Sequence, residues 1–318
     1  MSFVASFNEI CKSDVGVAGG KGANLGELIR AGLPVPPGFI VTAGAYFDFL
    51  RESAIQPEIA RLLAGFDPAD TAQLQQTADS IKRLFGGVPL PQGIQTEIAS
   101  AYRDMKGGPV AVRSSATAED LAEASFAGQQ STFLNVSGEA VPGAVQDCWA
   151  SLFESQAIAY RQRRGFDHLE VGIAVVVQQM VQSERSGVMF TLHPVTGARD
   201  KIIIEAVYGL GEALVSGMVT PDFYVVDKPS LKLEETSPSQ QERELVRNAN
   251  AAAGEECNSW LEILPERGRR QKLTDGEIAL VADLGRRVEA HYGTPQDIEW
   301  AEEGGEFYIV QARPVTTH

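Results

Sequence analysis

Apolar positions recur with two different periods along this chain, and the alternation between them predicts a mixed fold. Residues 45–53, 70–85 and 92–106 place apolar side chains every three or four positions in polar surroundings, so each predicts a helix. Asp70 stands where the second of these needs an N-cap. Residues 139–164 carry Val145, Trp149, Leu152, Phe153 and Ile158 at helical spacing, which predicts a buried helix with an exposed basic end at 161–164. Thr274 with Glu277 three residues on is a capping box, opening a helix to Tyr292. Short β-branched runs bounded by turn residues predict strands at 110–113, 132–136, 172–179, 186–192, 201–207 and 222–227. Two further runs, 297–302 and 307–313, read as a closing hairpin.

Glycine and proline punctuate the first forty residues. Residues 16–20 are expected to be a loop, and 23–31 a helix that stops at Gly32. Pro34, Pro36 and Pro37 then force extended backbone ahead of Phe39, Ile40 and Val41. The stretch 228–272 is polar and reads as a variable connection with helical patches. Together the elements predict an α+β chain.

Length and charge narrow the picture. At 318 residues the chain is long enough for two domains or lobes. The formal net charge of −15 argues against a basic nucleic-acid-binding surface and makes any local cationic site notable. No apolar run spans a bilayer and no secretory leader is visible at the start, so no membrane partner is expected and the cytoplasm is the expected location. Cys11, Cys148 and Cys257 are too widely spaced for a zinc or disulfide framework, and Cys148 beside Trp149 reads as core. The four histidines are isolated and form no metal-binding string.

The candidate chemistry centres on residues 111–136, AVRSSATAEDLAEASFAGQQSTFLNV. A strand-like triplet delivers Arg113, and small residues follow. A guanidinium at a strand end suits phosphate oxygens, and small side chains let backbone N–H groups approach an anion. The residues alone also fit a Ser/Thr-rich surface turn, with Arg113 paired to Glu119 or Asp120. Lys21 follows two glycines and precedes a helix, a position that suits phosphate, although the residues alone equally fit a mobile loop. It is not a Walker A lysine, because position 15 is valine and Gly22 stands where Ser or Thr is needed. Gly209, Gly211 and Leu214 likewise fail the dinucleotide pattern at the third glycine.

In the closing hairpin, residues two apart share a face. A turn centred on Gly305 sets Glu299 opposite Gln311 and Asp297 opposite Arg313. Two carboxylates, an amide oxygen and a guanidinium then cluster. Such a face either holds a hard cation such as Mg²⁺ or is a solvated face neutralised by an Asp–Arg pair.

These strings resemble, in order, the nucleotide-binding domain of the phosphoenolpyruvate synthase, pyruvate phosphate dikinase and rifampin phosphotransferase family. The resemblance runs through GGKGANLGEL at 19–28, LPVPPGFIVT at 33–42, SGVMFTLHPVTG at 186–197, EAVYGLGEALVSGMVTPDFYVV at 205–226, QDIEW at 296–300 and FYIVQARPVTT at 307–317. It is weakest at 48–105 and 228–272. It implies an ATP-grasp fold, with ATP held between two lobes divided near residue 184, 1–184 and 185–318. It also implies ATP and Mg²⁺ as cofactors. Lys21 and Arg113 match the family's phosphate-binding cations. Gly128, Thr132 and Gln179 match nucleotide-contacting positions, as do Glu299, Gln311 and Arg313, and Asp297, Glu299 and Gln311 match the metal-binding set. Glu205 and Glu212 are weaker candidates for approach to the phosphates.

The family's swivelling phosphohistidine domain and its acceptor-binding domain have no counterpart here, and His193 lacks the phosphohistidine context. The expected role is an ATP-binding component of a phosphotransferase, either an excised domain or a natural subunit, as the split subunits of phenylphosphate synthase illustrate. Its expected partners are a phosphohistidine-bearing domain or subunit and an acceptor-binding one. A nucleotide-binding regulatory module without turnover is the alternative.

Overall fold

The computed structural model describes residues 2–67, 70–117, 131–251 and 256–315. It is a mixed α+β chain that divides into two compact units. The first is Met1–Glu27 with Pro37–Met180, and the second is Leu28–Pro36 with Val181–His318.

The first unit is built on a five-stranded antiparallel sheet. Its strands are β1 (Val4–Ser6), β2 (Gly38–Val41), β3 (Val110–Ala116), β4 (Thr132–Val136) and β5 (Ile173–Gln179), in the order β1-β2-β5-β3-β4. Helix α1 (Val15–Arg30) precedes β2, and α2 (Ala43–Ser53), α3 (Gln56–Ala64), α4 (Thr71–Gly86) and α5 (Gln92–Asp104) lie between β2 and β3. Helices α6 (Ala140–Ala150) and α7 (Ser155–Arg164) lead to β5.

One face of this sheet, with Phe39, Val41, Val112, Val175 and Val177, joins an aromatic core. There Trp149 meets Tyr46 and Phe49, and Phe85 joins Phe49 to Phe153, with ring centroids 5.1–6.1 Å apart. Burying each such side chain is worth about 1.5–3 kcal/mol, which makes this the main stabilising region of the unit. The opposite face carries Ile40, Arg113, Ser115 and Val176, as the strand register requires.

The second unit holds a six-stranded antiparallel sheet of β6 (Arg185–Phe190), β7 (Lys201–Tyr208), β8 (Asp222–Asp227), β9 (Lys232–Ser237), β12 (Gln296–Glu303) and β13 (Glu306–Pro314). Their order is β13-β12-β6-β7-β8-β9. A separate two-stranded ribbon pairs β10 (Arg243–Arg247) with β11 (Asn258–Glu262). Helices α8 (Glu212–Val215) and α9 (Pro265–Gly268) are single turns, and α10 (Asp275–Tyr292) is the long helix. Helix α10 packs where Gly285 leaves room for the Met189 sulfur; a Cβ there would lie 2.5 Å from it.

Several sequence expectations need correcting. The glycines at 16–20 are not a loop but the first turns of α1, interrupted only at Gly19. The run 139–164 is broken into α6, a 3-10 turn at Ser151–Phe153 and α7. Arg161 is fully buried rather than part of an exposed basic end, because its guanidinium donates to the Leu152 carbonyl and, at 3.0 Å, to His168 Nδ1. The described part of 228–272 is mainly strand, β9 to β11, and the expected helical patches reduce to the single turn α9. The Asp70 cap and the Thr274–Glu277 capping box form as read, and Gly32 takes the left-handed conformation at φ +68°.

Candidate functional site

Two clusters gather most of the sequence-predicted site residues, one in each unit. In the first unit, the interruption of α1 decides where Lys21 goes. Gly19 adopts φ +66° and ψ 172°, and a Cβ there would lie 2.2 Å from both the carbonyl oxygen and Oγ of Ser115. Only glycine lets the backbone approach β3 that closely. The approach is held by Ser115 Oγ, which donates to the Ala18 carbonyl at 2.9 Å and accepts from the Gly22 N–H at 3.3 Å. Gly22 in turn lies against Ile40, where a Cβ would meet Cδ1 at 2.7 Å. Lys21 Nζ therefore reaches the Ser114 carbonyl at 3.3 Å, one residue beyond Arg113.

Arg113 is half-buried and sits opposite Thr132 of β4 and Val176 of β5, so Arg113 and Thr132 share a face. Gln179 ends β5 with an exposed side chain, its N–H donating to the Pro37 carbonyl at 2.9 Å. The register puts its buried neighbour Gln178 on the face of Arg113. Gly128, Glu119 and Asp120 lie outside the described residues.

In the second unit, β12 and β13 pair Asp297 with Arg313 and Glu299 with Gln311. The turn is centred between Gly304 and Gly305, both at positive φ, and an irregularity after Glu299 restores this register. Arg185 anchors the hairpin, donating to Glu302 at 2.9 Å and pairing with Glu277 of α10 at 2.8 Å. Glu302 also accepts from the turn, at Gly305 N–H, 2.6 Å.

Across β6, Val188 lies between Glu299 and Glu205 of β7, so Glu205 joins the same face. Burial, and then the Asp297 charge, raise the Glu205 carboxyl above its ordinary range. Asp297 is raised chiefly by burial, with Arg313 opposing and Glu299 adding to the rise. Glu212 lies apart from this strand row, in α8. A better signal for Glu205 in the sequence is its place between Ile203 and Val207, the buried apolar neighbours on its face of β7.

Among the described residues, no group of three or more His, Cys, Asp or Glu side chains stands ready to hold a metal ion. What stands together is a carboxylate and an amide oxygen, Glu299 and Gln311, with Asp297 engaged by Arg313. This donor set fits Mg²⁺, which takes one or two protein oxygens and completes its shell with phosphate and water. Burial chiefly, and neighbouring carboxylates after it, disfavour the ionised acids of this face, a cost that a cation would relieve. Among the described residues no helix is long and apolar enough to cross a membrane.

Comparison with known proteins agrees with the resemblance. The chain is 50% identical to the probable phosphoenolpyruvate synthase of Methanothermobacter thermautotrophicus, over 100% of this chain and 46% of that protein. It is 44% identical to the phosphoenolpyruvate synthase of Pyrococcus furiosus, over 99% of this chain and 44% of that protein. With that of Aquifex aeolicus it shares 42% identity, over 100% of this chain and 40% of the relative. The chain thus spans less than half the length of these relatives. A solved ADP complex of N5-carboxyaminoimidazole ribonucleotide synthetase matches at a TM-score of 0.31 and 10% identity, covering 76% of this chain and 44% of that one, too remote to argue from. Residues 15–318 match the family described as pyruvate phosphate dikinase, AMP/ATP-binding domain, and the chain belongs to that family.

Proposed function

We propose that this chain is the ATP-binding component of a phosphoenolpyruvate-synthase-type phosphotransferase with an ATP-grasp fold, its lobes divided near residue 184. It binds Mg–ATP and positions it for phosphoryl transfer to a histidine on a separate domain or subunit, with AMP and phosphate as final products. The relatives are longer than this chain, which supports further domains for the histidine and the acceptor. The observation that carries the reading is that Lys21 Nζ reaches the carbonyl of Ser114, the residue after Arg113, in a chain of net charge −15.

Lys21 and Arg113 bind phosphate oxygens and offset their charge, and Thr132, Gly128 and Gln179 contact the nucleotide. Glu299 and Gln311 hold Mg²⁺, with Asp297 and Arg313 completing that face. The ion, when bound, neutralises phosphate charge. Catalysis is then mostly positioning and charge stabilisation. The cytoplasm is the location that suits this chemistry.

Calorimetry with ATP, with and without Mg²⁺, tests the reading. Mg-dependent binding that weakens in Arg113→Ala is expected. No binding at millimolar ATP overturns the nucleotide assignment, and binding without transfer to any histidine-bearing partner favours a regulatory module.

A further inference from the structure

Ser115 is the residue that joins the Lys21 turn to the Arg113 strand. It is fully buried, two residues after Arg113 and on the same sheet face. Its hydroxyl has one hydrogen to donate, and it donates that to the Ala18 carbonyl at 2.9 Å. Its oxygen accepts from the Gly22 N–H at 3.3 Å. Ala18 and Gly22 bracket Lys21. Gly19, between them, breaks the helix and lets the turn close onto Ser115, where a Cβ would be 2.2 Å away. The latch therefore grips the backbone on both sides of the lysine.

We propose that Ser115 is a positioning residue for phosphate binding: it touches no nucleotide and acts by holding the Gly19 turn so that Lys21 stands at the Ser114 carbonyl. This rests on the reading of Lys21 as a phosphate ligand. Without the latch, α1 keeps Ala23 and Leu25 buried while the turn at 18–22 loosens, and the ammonium spends less time at the strand. Loss of such a hydrogen-bonded restraint corresponds to about a 5–10-fold change in affinity.

The experiment is a double-mutant cycle in the 318-residue chain. Mg–ATP affinity is measured by calorimetry, and adenosine affinity by ligand-observed NMR, for wild type, Ser115→Ala, Lys21→Met and the double variant. Ser115→Ala should weaken Mg–ATP about 5–10-fold, leave adenosine unchanged and speed amide exchange at Gly22 while β3 and β5 stay protected. In the Lys21→Met background it should add nothing. An equal loss in both backgrounds, or a parallel loss of adenosine, overturns the proposal, since Ser115 would then be a general packing residue. Wild-type affinity in Ser115→Ala with impaired Lys21→Met overturns the latch alone. An unimpaired Lys21→Met overturns the Lys21 reading and the latch with it. If Ser115→Ala does not fold, Ser115→Cys keeps the volume with a weaker donor and acceptor. It should show the same ATP-only loss at smaller size, and its behaving as wild type overturns the latch.

Discussion

Arg313 donates from Nε to Asp297 Oδ2 at 2.9 Å, with Nη2 also 2.9 Å from that oxygen, while the Asp297 carboxyl stays raised above its ordinary range by burial. The guanidinium is more than half exposed, so it offsets the buried charge only in part. Glu299, two residues along the same face, adds repulsion. The face is a set of acids held together at an electrostatic cost, with one cation at its rim.

Removing that cation should therefore push Asp297 further up. In Arg313→Met, carboxyl NMR should show Asp297 titrating at higher pH than in the wild-type chain, because the guanidinium lowers it. Unchanged titration would mean that the pair has no electrostatic effect in solution.

Glu205 and Asp297 together predict a pH dependence. Both folded-state carboxyls lie above their ordinary values of 4.5 and 3.8, so the folded chain holds these protons more tightly than the unfolded one. Their effect on stability is least unfavourable below those values and grows unfavourable as pH rises through the raised ones. Glu205→Gln should stabilise the chain at pH 7 and not below pH 4.5. Mg²⁺ should narrow the gap between the variant and wild type at pH 7. Urea titrations across this range check it, and a stabilisation independent of pH would count against the cost of the buried, ionised carboxyl as the cause.

Glu299→Gln should reduce the Mg²⁺ dependence of ATP binding with little effect on thermal stability. It removes one anionic oxygen at nearly constant volume. Calorimetry at several Mg²⁺ concentrations reads this directly, and an unaltered Mg²⁺ dependence would place the ion elsewhere.

Gly187 of β6 has no room for a methyl group. A Cβ there would lie 1.8 Å from the Glu205 carbonyl oxygen and 2.6 Å from Trp300 Cζ2. Gly187→Ala should destabilise the second unit by about 3 kcal/mol, since neither a strand carbonyl nor a buried indole yields cheaply. A midpoint shift of less than a third of that would show that the sheet opens there.

Lys272 and Asp222 form a buried ion pair at 2.7 Å, with Lys272 also donating to the Ser239 and Gly268 carbonyls and Asp222 accepting from Tyr224. Lys272→Met leaves the buried aspartate without its counter-charge and should destabilise by about 3–5 kcal/mol. The double change Lys272→Met with Asp222→Leu should recover part of the loss in the same denaturation assay.

The parts of the site that were legible in the sequence are those set by neighbours in the chain. The alternation of Asp297, Glu299, Gln311 and Arg313 predicts a shared face, and the structure pairs them in that register. What the alternation leaves open is how the register arises, by a tight Gly304–Gly305 turn compensated by an irregularity beyond Glu299. The glycines at 16–20 predict a loop, because glycine weakens a helix locally. Packing against β3 outweighs that preference, and a helix interrupted once, at Gly19, is the result.

By itself the sequence determined the caps at Asp70 and Thr274, the Gly32 stop, the strand runs and the hairpin partners. Each depends on hydrogen bonds and steric limits acting over a few residues. Only the tertiary structure decided that Ser115 grips the turn carrying Lys21, 93 or more positions away in the chain, and that Glu205 shares a face with Asp297. Those contacts follow from strand order and from which helix covers which face. Such long-range pairings are selected by burying the whole core at once, and no local pattern of residues encodes them.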